Sequence, residues 1–311
     1  MFCAGLVSGR DVVRLIKGRH GRFQGERELR ANRQGIAALA AGLLCCALIA
    51  GVEQAAAATP SGTVTTVAYD GFAYTAGTSL LGQGGGFGWS NAWFQDYGSG
   101  GNFTIDGAGL TYPGLGTTGG KVVWAPGGNG IDGDARNLPL VNSGVVYLQF
   151  VSQFGSQTGG GTPNIRLFAS GSLTGGIGGN GGPYGPKMSI LDTTLNPKSD
   201  GTSSSAANLS GLNLVVVQID YRGNTTQMWV NPDLGTFDYL NPPAPDAAYA
   251  GLAPAFDKIA IYSRFPANVD ELRVLRIQPA IPTLSRAALI AMALALALLG
   301  LGMSRRNRSQ R

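Results

Sequence analysis

The chain has 311 residues, of which 44% are hydrophobic, and a formal net charge of +5. The positive charge lies at the two ends, because residues 59–278 carry ten Lys and Arg against fourteen Asp and Glu, a net of −4. The basic whole-chain balance therefore gives no support to nucleic-acid binding. The three cysteines and the single histidine all lie within the first 46 residues, which excludes a histidine triad, a cysteine nucleophile and the usual zinc sites from the rest.

The N-terminal segment has the features of an export signal. An apolar run at 36–52 follows two arginines and precedes the small residues 55–58, which is the order found in secretory signal peptides. We therefore predict a signal peptide with a signal helix over residues 1–58, cleaved after Ala57 or Ala58. The basic region before the run is about 35 residues long, which indicates an extended signal or a start site placed too far upstream. A retained N-terminal membrane helix is the alternative.

Residues 59–278 are predicted to form one all-β domain. Glycine is abundant, apolar stretches are short, and turn signals such as Asn-Gly and Asp-Gly recur between them, a pattern typical of a sandwich of antiparallel strands. The alternation is clearest at 145–154, where Val146 and Leu148 would face the core and Gln149 the solvent. This is the pattern of a half-buried strand.

Other strand positions follow from the same alternation and from turn residues. The stretch 213–221 is followed by Arg-Gly-Asn at 222–224, so 226–231 is predicted to return as the second strand of a hairpin. The remaining predicted strands are 121–125, 164–169, 257–262 and 269–277, and the predicted surface loops are 171–186 and 241–254.

The tryptophans are candidates for ligand contact. The flat face of an indole presents apolar area to a sugar ring, and the four tryptophans are Trp89, Trp93, Trp124 and Trp229. Packing within the sandwich is the alternative for each of them.

The glycine-rich stretch 82–89 lacks the Gly-Lys-Ser/Thr ending of a phosphate-binding loop, so no nucleotide site is predicted there.

Two acidic patterns bear on metal binding and catalysis. Asp132 and Asp134, within Gly-Asn-Gly-Ile-Asp-Gly-Asp, could supply oxygen ligands to calcium, and a solvated turn is the alternative. No other cofactor is predicted.

Asp270 and Glu271 are an adjacent acidic pair, but neighbouring positions on a strand face opposite ways. The two therefore cannot face one scissile bond, and Asp270 is predicted to make structural contacts instead.

Three passages near the ends of the domain share a pattern with a known fold. They read Tyr-Asp-Gly-Phe-Ala-Tyr-Thr-Ala-Gly-Thr-Ser-Leu at 69–80, Gly-Gly-Phe-Gly-Trp-Ser-Asn-Ala-Trp at 85–93 and Val-Asp-Glu-Leu-Arg-Val at 269–274. They resemble concanavalin A-like domains of exported bacterial proteins, and the resemblance spans most of residues 67–277. It implies a jelly-roll sandwich of the lectin or laminin-G type. Sugar-binding modules, adhesive domains and some glycosidases share that fold, so it does not indicate one function.

The C-terminal segment 279–311 has three parts. The motif Ile281, Pro282, Thr283 and Leu284 is followed by Ser285, then by an uncharged apolar run at 287–303 and an arginine-rich tail at 304–311. A 17-residue apolar run is at the short end of what spans a membrane as a helix, and a positive flank stays on the cytoplasmic side. We predict a transmembrane helix over 287–303 with the domain before it outside, and a buried helix of a soluble domain is the alternative.

The order of these three parts resembles the IPTL-CTERM sorting signals of Gram-negative bacteria, which share their layout with PEP-CTERM signals. The resemblance implies recognition by an exosortase-type membrane enzyme, which cuts near the motif and releases the chain or transfers it to the cell surface. Arg286, Ala287 and Ala288 stand where the family pattern has an acidic residue, Trp and Gly. The resemblance therefore does not indicate which sorting enzyme acts on the chain.

Together these features predict an exported protein without enzymatic activity, located transiently in the inner membrane and then at the cell surface or in the extracellular matrix. Its role would be structural or adhesive. Its partners would be an exosortase-type enzyme, the membrane through the C-terminal helix, and extracellular polysaccharide. One alternative is a carbohydrate-binding module that acts through the tryptophans. A further alternative is a glycosidase that uses two carboxylates, since that chemistry needs neither histidine nor cysteine.

Overall fold

The computed structural model describes residues 62–98, 103–124, 131–155, 163–179 and 187–279, and the helical residues Ile290, Met292, Ala293 and Leu296. The strands all belong to the second of two compact units, Pro60–Arg311, and the first unit is Met1–Thr59. The predicted signal helix, its cleavage site, the motif at 281–285 and most of the predicted transmembrane helix at 287–303 lie outside the described residues. The signal helix, the cleavage site, the transmembrane helix and the domain boundaries therefore stay predictions. Among the described residues, no helix has the length and apolar character needed to cross a membrane.

The described part of the chain is built from short strands. They are β1 (Gly62–Asp70), β2 (Phe94–Tyr97), β3 (Phe103–Asp106), β4 (Lys121–Trp124), β5 (Asp132–Val141), β6 (Val145–Phe154), β7 (Asn164–Ala169), β8 (Ser172–Gly178), β9 (Lys187–Leu191), β10 (Ser204–Asn208), β11 (Asn213–Asp220), β12 (Thr225–Val230), β13 (Ala247–Ala250), β14 (Phe256–Ser263) and β15 (Ala267–Pro279). Strand β6 has the bounds predicted from its alternation. Strands β11 and β12 pair as neighbours, which confirms the predicted hairpin.

The strands form two antiparallel sheets. The eight-stranded sheet has the order β13-β12-β11-β6-β15-β4-β3, and β1 pairs with β15 outside this path. The seven-stranded sheet has the order β10-β9-β8-β7-β14-β5-β2. The predicted all-β fold is confirmed, and two packed antiparallel sheets are the arrangement implied by the resemblance to concanavalin A-like domains.

The main hydrophobic core lies between the two sheets. Val146, Leu148 and Phe150 of β6 are fully buried there, and Ile165 and Leu167 of β7 reach the same core from the other sheet. Burial of each such side chain contributes about 1.5–3 kcal/mol relative to exposure. The inward positions predicted from the β6 alternation are therefore confirmed.

A second hydrophobic layer covers the outer face of the eight-stranded sheet. Tyr147 and Trp229 point away from the main core and pack with Phe237 and Tyr239, which lie in the connection between β12 and β13. Strand β6 is therefore buried on both faces. Gln149, predicted to face solvent, is 2% exposed and accepts a 2.6 Å hydrogen bond from the Tyr239 hydroxyl. Alternation identified the inner face correctly, but it could not show that a loop covers the other.

Two passages predicted as surface loops contain strands. Strand β8 lies within 171–186 and β13 lies within 241–254. A Cβ atom at Gly175 or Gly176 would stand 3.2 Å or 2.9 Å from the backbone oxygens of Leu191 and Ile165, so these glycines allow close packing between strands. Glycine here marks a crowded strand and not a turn.

Candidate functional site

The outer face of the seven-stranded sheet carries charged and aromatic side chains from three strands. We call them the outer-face cluster, which consists of Asp96, Tyr97, Arg166, Phe168, Lys258 and Tyr262. Strand β5 runs between β2 and β14 and presents Gly133 and Ala135 on this face beside Tyr262 and Ala260, and Asn137 beside Lys258. Because Gly133 and Ala135 are small, the longer side chains of the flanking strands can meet above them.

Alternation along β14 and β7 places these side chains outward. Ile259 and Ile261 belong to the main core, whereas Ala260 and Tyr262 belong to a separate cluster on the outer face. The register pairs Lys258 with Phe168 and Ala260 with Arg166. Directly paired residues of antiparallel strands share a face, so the outward side chains of β7 and β14 lie side by side.

Asp96 is the charged centre of the cluster. The Lys258 ammonium pairs with one of its carboxylate oxygens, and the Tyr262 hydroxyl donates a hydrogen bond to the other. The side chains of Lys258 and Asp96 are only 14% and 10% exposed. Burial, together with the hydrogen bond to Asp96 and its negative charge, raises the pKa of the Tyr262 phenol, which therefore stays protonated and remains a donor at neutral pH.

Two cations lie over aromatic rings in the cluster. The Arg166 guanidinium carbon is 3.6 Å from the Tyr262 ring centroid, and the Lys258 ammonium is 4.1 Å from the Phe168 ring centroid. Contacts of this kind contribute about 0.5–2 kcal/mol. The Arg166 Nε also donates a 2.8 Å hydrogen bond to the Asn164 side-chain oxygen, so two partners hold the guanidinium in place.

Tyr97 is the exposed aromatic member of the cluster. Its side chain is 56% exposed, and its ring centroid is 6.0 Å from that of Tyr262. Lys258 also borders an open depression of about 370 Å³ on this side of the sheet. The other residues that line the depression are Phe94, Asn137, Leu138, Gly171 and Asp257. Tyr97 does not line the depression, but an exposed ring and a concave surface with placed polar groups on one sheet face are suited to ligand binding.

Gly133 sets the position of the Tyr262 ring. A Cβ at this position would lie 2.6–2.8 Å from ring carbons of Tyr262, so we expect Gly133→Ala to push the ring away and to lower the free energy of unfolding by about 1–3 kcal/mol. Gly116→Ala is the matched control, because a Cβ at Gly116 would have no neighbour within 4 Å. Chemical denaturation measures both variants, and equal midpoints would contradict the close packing described.

Three of the four candidate tryptophans lie in packed interiors. Trp93, Trp124 and Trp229 are 2%, 6% and 3% exposed. The Trp93 indole donates a 2.8 Å hydrogen bond to Asp70, and that of Trp229 donates a 3.0 Å bond to the Pro243 carbonyl. Burial leaves little of these three rings exposed to a sugar, although Trp229 also lines a depression of about 390 Å³. Glycan contact at these positions stays a prediction.

Trp89 differs from the other tryptophans because it is half-buried. Its indole nitrogen donates a 3.0 Å hydrogen bond to the Tyr69 carbonyl, and the Arg136 guanidinium carbon is 5.2 Å from its ring centroid. Glycan contact at Trp89 stays a prediction.

Asp132 and Asp134 lie at the start of β5 and not in a solvated turn. Both are fully buried, and their register with Ser263 and Ile261 directs them toward the interior. Neither carboxylate oxygen of Asp134 has a hydrogen-bond partner among the described residues. Burial, and secondarily the negative charge of Asp132, raise the pKa of Asp134 to about 7.

These two carboxylates are the predicted calcium ligands. Carboxylate oxygen is the donor that calcium prefers, but the ion takes six to eight ligands. In the described ranges, no group of three or more His, Cys, Asp or Glu residues could hold a metal. Asp132 and Asp134 therefore fit calcium as part of a ligand set that backbone carbonyls or water would have to complete, and the site stays a prediction.

Asp270 and Glu271 hold the loop between β3 and β4. Asp270 accepts a 2.7 Å hydrogen bond from the Leu110 amide, and Glu271 accepts a 2.6 Å bond from the Thr118 amide and a 2.9 Å bond from the Tyr69 hydroxyl. The predicted structural role of Asp270 is confirmed.

The outer-face cluster was not among the sequence-based candidates, although part of its signal was visible. The predicted strands 164–169 and 257–262 each alternate polar or aromatic residues with isoleucine or leucine, and the polar set contains Arg166, Lys258 and Tyr262. The sequence did not show that these two strands are neighbours. It also gave no strand signal for the short β2, which supplies Asp96.

Comparison with known proteins adds information about the C-terminal segment. Residues 279–306 match the family model described as the IPTL-CTERM motif. The chain carries an IPTL-CTERM motif. The resemblance seen in the sequence is thereby confirmed over about a tenth of the chain. The IPTL-CTERM motif indicates an exported, surface-directed protein and implies processing by an exosortase-like enzyme.

No curated protein sequence matches the chain. Several solved structures are similar to part of the chain. A family 16 glycosyl hydrolase from Mycobacterium smegmatis is 14% identical, with 69% of this chain and 100% of that protein covered and a TM-score of 0.36. The VIP36 exoplasmic/lumenal domain in a Ca²⁺-bound form is 11% identical, with 67% and 97% covered and a TM-score of 0.38. A sialidase is 9% identical with a TM-score of 0.37; the match covers 60% of this chain but 17% of the sialidase.

Proposed function

We propose that this chain is an exported cell-surface or matrix protein that binds extracellular polysaccharide at the outer-face cluster and catalyses no reaction. The observation that carries the proposal is the contrast between the two outer faces of the sandwich. On the eight-stranded sheet, Phe237 and Tyr239 cover the face, whereas on the seven-stranded sheet Tyr97 remains 56% exposed. A structural or adhesive role needs such a surface.

The chemistry of the cluster suits a sugar chain. A flat ring such as that of Tyr97 offers apolar area to the face of a pyranose. The nitrogens of Arg166 and the polar edge of the nearby depression offer hydrogen bonds to hydroxyl groups. Tyr262 is itself held by Asp96, Gly133 and Arg166, so the surface is preorganised and loses little side-chain entropy on binding.

The pairing of Asp96 supports binding in preference to catalysis. A glycosidase needs two carboxyl groups placed across the scissile bond, one to donate a proton and one to act as base or nucleophile. In the cluster, Lys258 and Tyr262 occupy both oxygens of Asp96, which leaves it poorly suited to either role. Hydrolysis of a polysaccharide panel by the purified chain, abolished by Asp96→Asn, would contradict this part of the proposal.

The sorting step is the other half of the proposed function. An exosortase-type enzyme is proposed to recognise Ile281 to Leu284 and to cut near this motif, with the apolar run 287–303 holding the chain in the inner membrane until then. The IPTL-CTERM match over 279–306 supports this order of events. N-terminal sequencing of the released C-terminal fragment would locate the cut, and a surface form that retains residues 287–303 would contradict processing.

Replacement of Tyr97 tests the binding site. We expect Tyr97→Ala to weaken binding to the best-bound polysaccharide about five- to tenfold, equivalent to about 1–1.4 kcal/mol, whereas Tyr97→Phe keeps the ring and the affinity. The full chain in detergent micelles is tested by biolayer interferometry on immobilised polysaccharides. Phe87→Ala is the control, because Phe87 is 52% exposed but packs on Tyr69 of the other sheet. Equal losses for Tyr97→Ala and Phe87→Ala would contradict the proposed site.

Calcium binding at Asp132 and Asp134 is a separate proposal. It is supported by the Asp134 carboxylate, which is buried and makes no hydrogen bond to any residue that the structure describes, because such a group needs either a proton or a cation. At pH 8 we expect millimolar calcium to raise the melting temperature of the wild-type chain, with a smaller effect on Asp134→Asn. Magnesium is the control ion, since it dehydrates reluctantly and demands a stricter geometry. Identical melting curves in calcium and in chelator would contradict the proposal.

A further inference from the structure

The outer-face cluster contains one cation, Arg166, that forms no direct ion pair with a carboxylate of the described residues, although the charge of Asp96 acts on it. Lys258 and Tyr262 already occupy the two oxygens of Asp96. Arg166 makes no ion pair in the described part of the chain, and its hydrogen bond there is the one from Nε to Asn164. Among the described residues, the two terminal nitrogens of the Arg166 guanidinium contact Tyr262 at most, which leaves donor capacity for a ligand.

Arg166 is partly exposed, and its terminal nitrogens are not among the buried side-chain atoms that lack a hydrogen-bond partner in the described residues. The Tyr262 ring supports the guanidinium at 3.6 Å, and Asn164 fixes its Nε edge at 2.8 Å. The guanidinium is thus held rigidly at a partly exposed position, and its planar pair of terminal N–H groups has the geometry that binds a carboxylate through two parallel hydrogen bonds.

Tyr97 lies close enough to act together with Arg166. The Tyr97 ring centroid is 6.0 Å from that of Tyr262, and the Arg166 guanidinium carbon is 3.6 Å from the same Tyr262 ring. The guanidinium and the exposed ring are therefore less than about 10 Å apart. A short stretch of sugar chain can place one ring on Tyr97 and a substituent on Arg166.

We propose that the outer-face cluster selects an acidic polysaccharide, in which the carboxylate of a uronic acid unit pairs with Arg166 while a sugar ring stacks on Tyr97. This inference rests on the proposed function of the same site and adds its ligand class. A neutral sugar would use the stacking surface but would leave the charge of Arg166 unpaired. Residues 59–278 carry a net charge of −4, so the attraction for an acidic polymer is local to the cluster and is weakened by salt.

A matched pair of polymers tests the ligand class. Polygalacturonate and its fully methyl-esterified form have the same backbone and differ in the charge of the carboxyl group. With the full chain in detergent micelles, we expect binding to polygalacturonate to be at least about tenfold tighter than binding to the ester, and to weaken as sodium chloride is raised. Dextran sulfate serves as a polymer with charge but without carboxylates, and it should bind more weakly than polygalacturonate.

Variants of Arg166 test the residue. Arg166→Gln should remove the preference for the acid over the ester, and Arg166→Lys, which keeps the charge but not the two-pronged geometry, should retain part of it. Arg222→Gln is the control, because it removes the same charge from the exposed turn between β11 and β12. Melting temperatures are measured for each variant, and Arg166→Lys remains informative if Arg166→Gln does not fold.

The outcomes separate the ligand class from the proposed function. A tenfold preference for the acid that depends on Arg166 and not on Arg222 would support the inference. Equal binding of acid and ester that still depends on Tyr97 would overturn it while leaving polysaccharide binding intact. Dextran sulfate bound as tightly as polygalacturonate would overturn recognition of a carboxylate. Failure to bind any acidic or neutral polymer would overturn the proposed function together with the inference.

Discussion

Replacement of Asp70 with alanine is expected to lower the free energy of unfolding by about 3–5 kcal/mol, because it leaves the buried charge of Arg136 without a partner. The two side chains form a 2.6 Å ion pair in the interior, with exposed fractions of 1% and 3%. Asp70 also accepts hydrogen bonds of 2.7 Å from the Tyr74 hydroxyl, 2.8 Å from the Trp93 indole and 2.9 Å from the Phe72 amide. One carboxylate thus connects β1, the loop after it and β5.

The charge itself can be separated from the packing of this site. Asp106→Ala is the matched control, since Asp106 pairs with Lys121 at 2.6 Å but its side chain is 45% exposed, and pairs of that kind contribute about 0–1 kcal/mol. Adding Arg136→Met to Asp70→Ala should recover part of the loss, because it removes the unpaired cation. Urea denaturation measures the free energy of unfolding of wild type, Asp70→Ala, the double variant and Asp106→Ala. Similar losses of this free energy for Asp70→Ala and Asp106→Ala would contradict a buried pair.

The stability of the domain in chelator is expected to fall as the pH rises from about 4 to about 7. Burial raises the pKa of both Asp134 and Asp270 to about 7, above the value of about 3.9 in an unfolded chain. Between these values the folded state holds protons that the unfolded state has released. The free energy of unfolding therefore falls with pH, by up to about 1.4 kcal/mol per pH unit for each group, and levels off above pH 7.

Asp134→Asn is the variant that isolates one of the two groups. Asparagine has a similar shape and no ionisable proton, so we expect a shallower slope between pH 4 and 7 and higher stability than wild type at pH 8. Asp106, Asp192 and Asp200 have pKa values lowered by hydrogen bonds or by nearby lysine. They act with the opposite sign and below about pH 4, outside the tested window. A wild-type stability that rises from pH 4 to 7 would contradict the buried, unpaired state of Asp134.

The strands that could be predicted are those with a clear alternation of apolar residues or with recognisable turn residues beside them. Strand β6 was predicted with its observed bounds, and the hairpin of β11 and β12 was recognised from its turn residues. Strands β5 and β8 were missed because Asp, Asn, Pro and Gly are rare in strands and read as turn signals. In β5, an ion pair compensates for the polar composition, since Arg136 reaches Asp70 across the core. The two partners of this ion pair are 66 residues apart in the sequence, so the residues around either one do not reveal the pair.

The binding surface was harder to predict than the strands. Tryptophan was the expected contact residue because its ring is large. A large ring is also effective in packing, and Trp93 and Trp229 are buried in the interior. The exposed ring belongs instead to Tyr97, at the end of a four-residue strand. Its relation to Arg166 depends on the strand order β7-β14-β5-β2, which alternation along single strands does not contain.

The sorting signal was the most predictable feature, because the motif, the apolar run and the arginine tail are contiguous in sequence. The match over 279–306 confirmed it without any contribution from the fold. The proposed function then needs both parts of the chain, since the tail would place the sandwich outside the cell and the outer-face cluster would give it something to bind there.

The most direct test of this account is the location of the chain with and without its tail. Intact cells that express the full chain, or a chain that ends at Pro279, are treated with external protease, and the sandwich is then detected in the cell-surface, periplasmic, cytoplasmic and medium fractions. The account predicts that the full chain is cleaved at the surface of intact cells, whereas the truncated chain is exported but not retained there. Equal retention of both chains in the cytoplasm would contradict it.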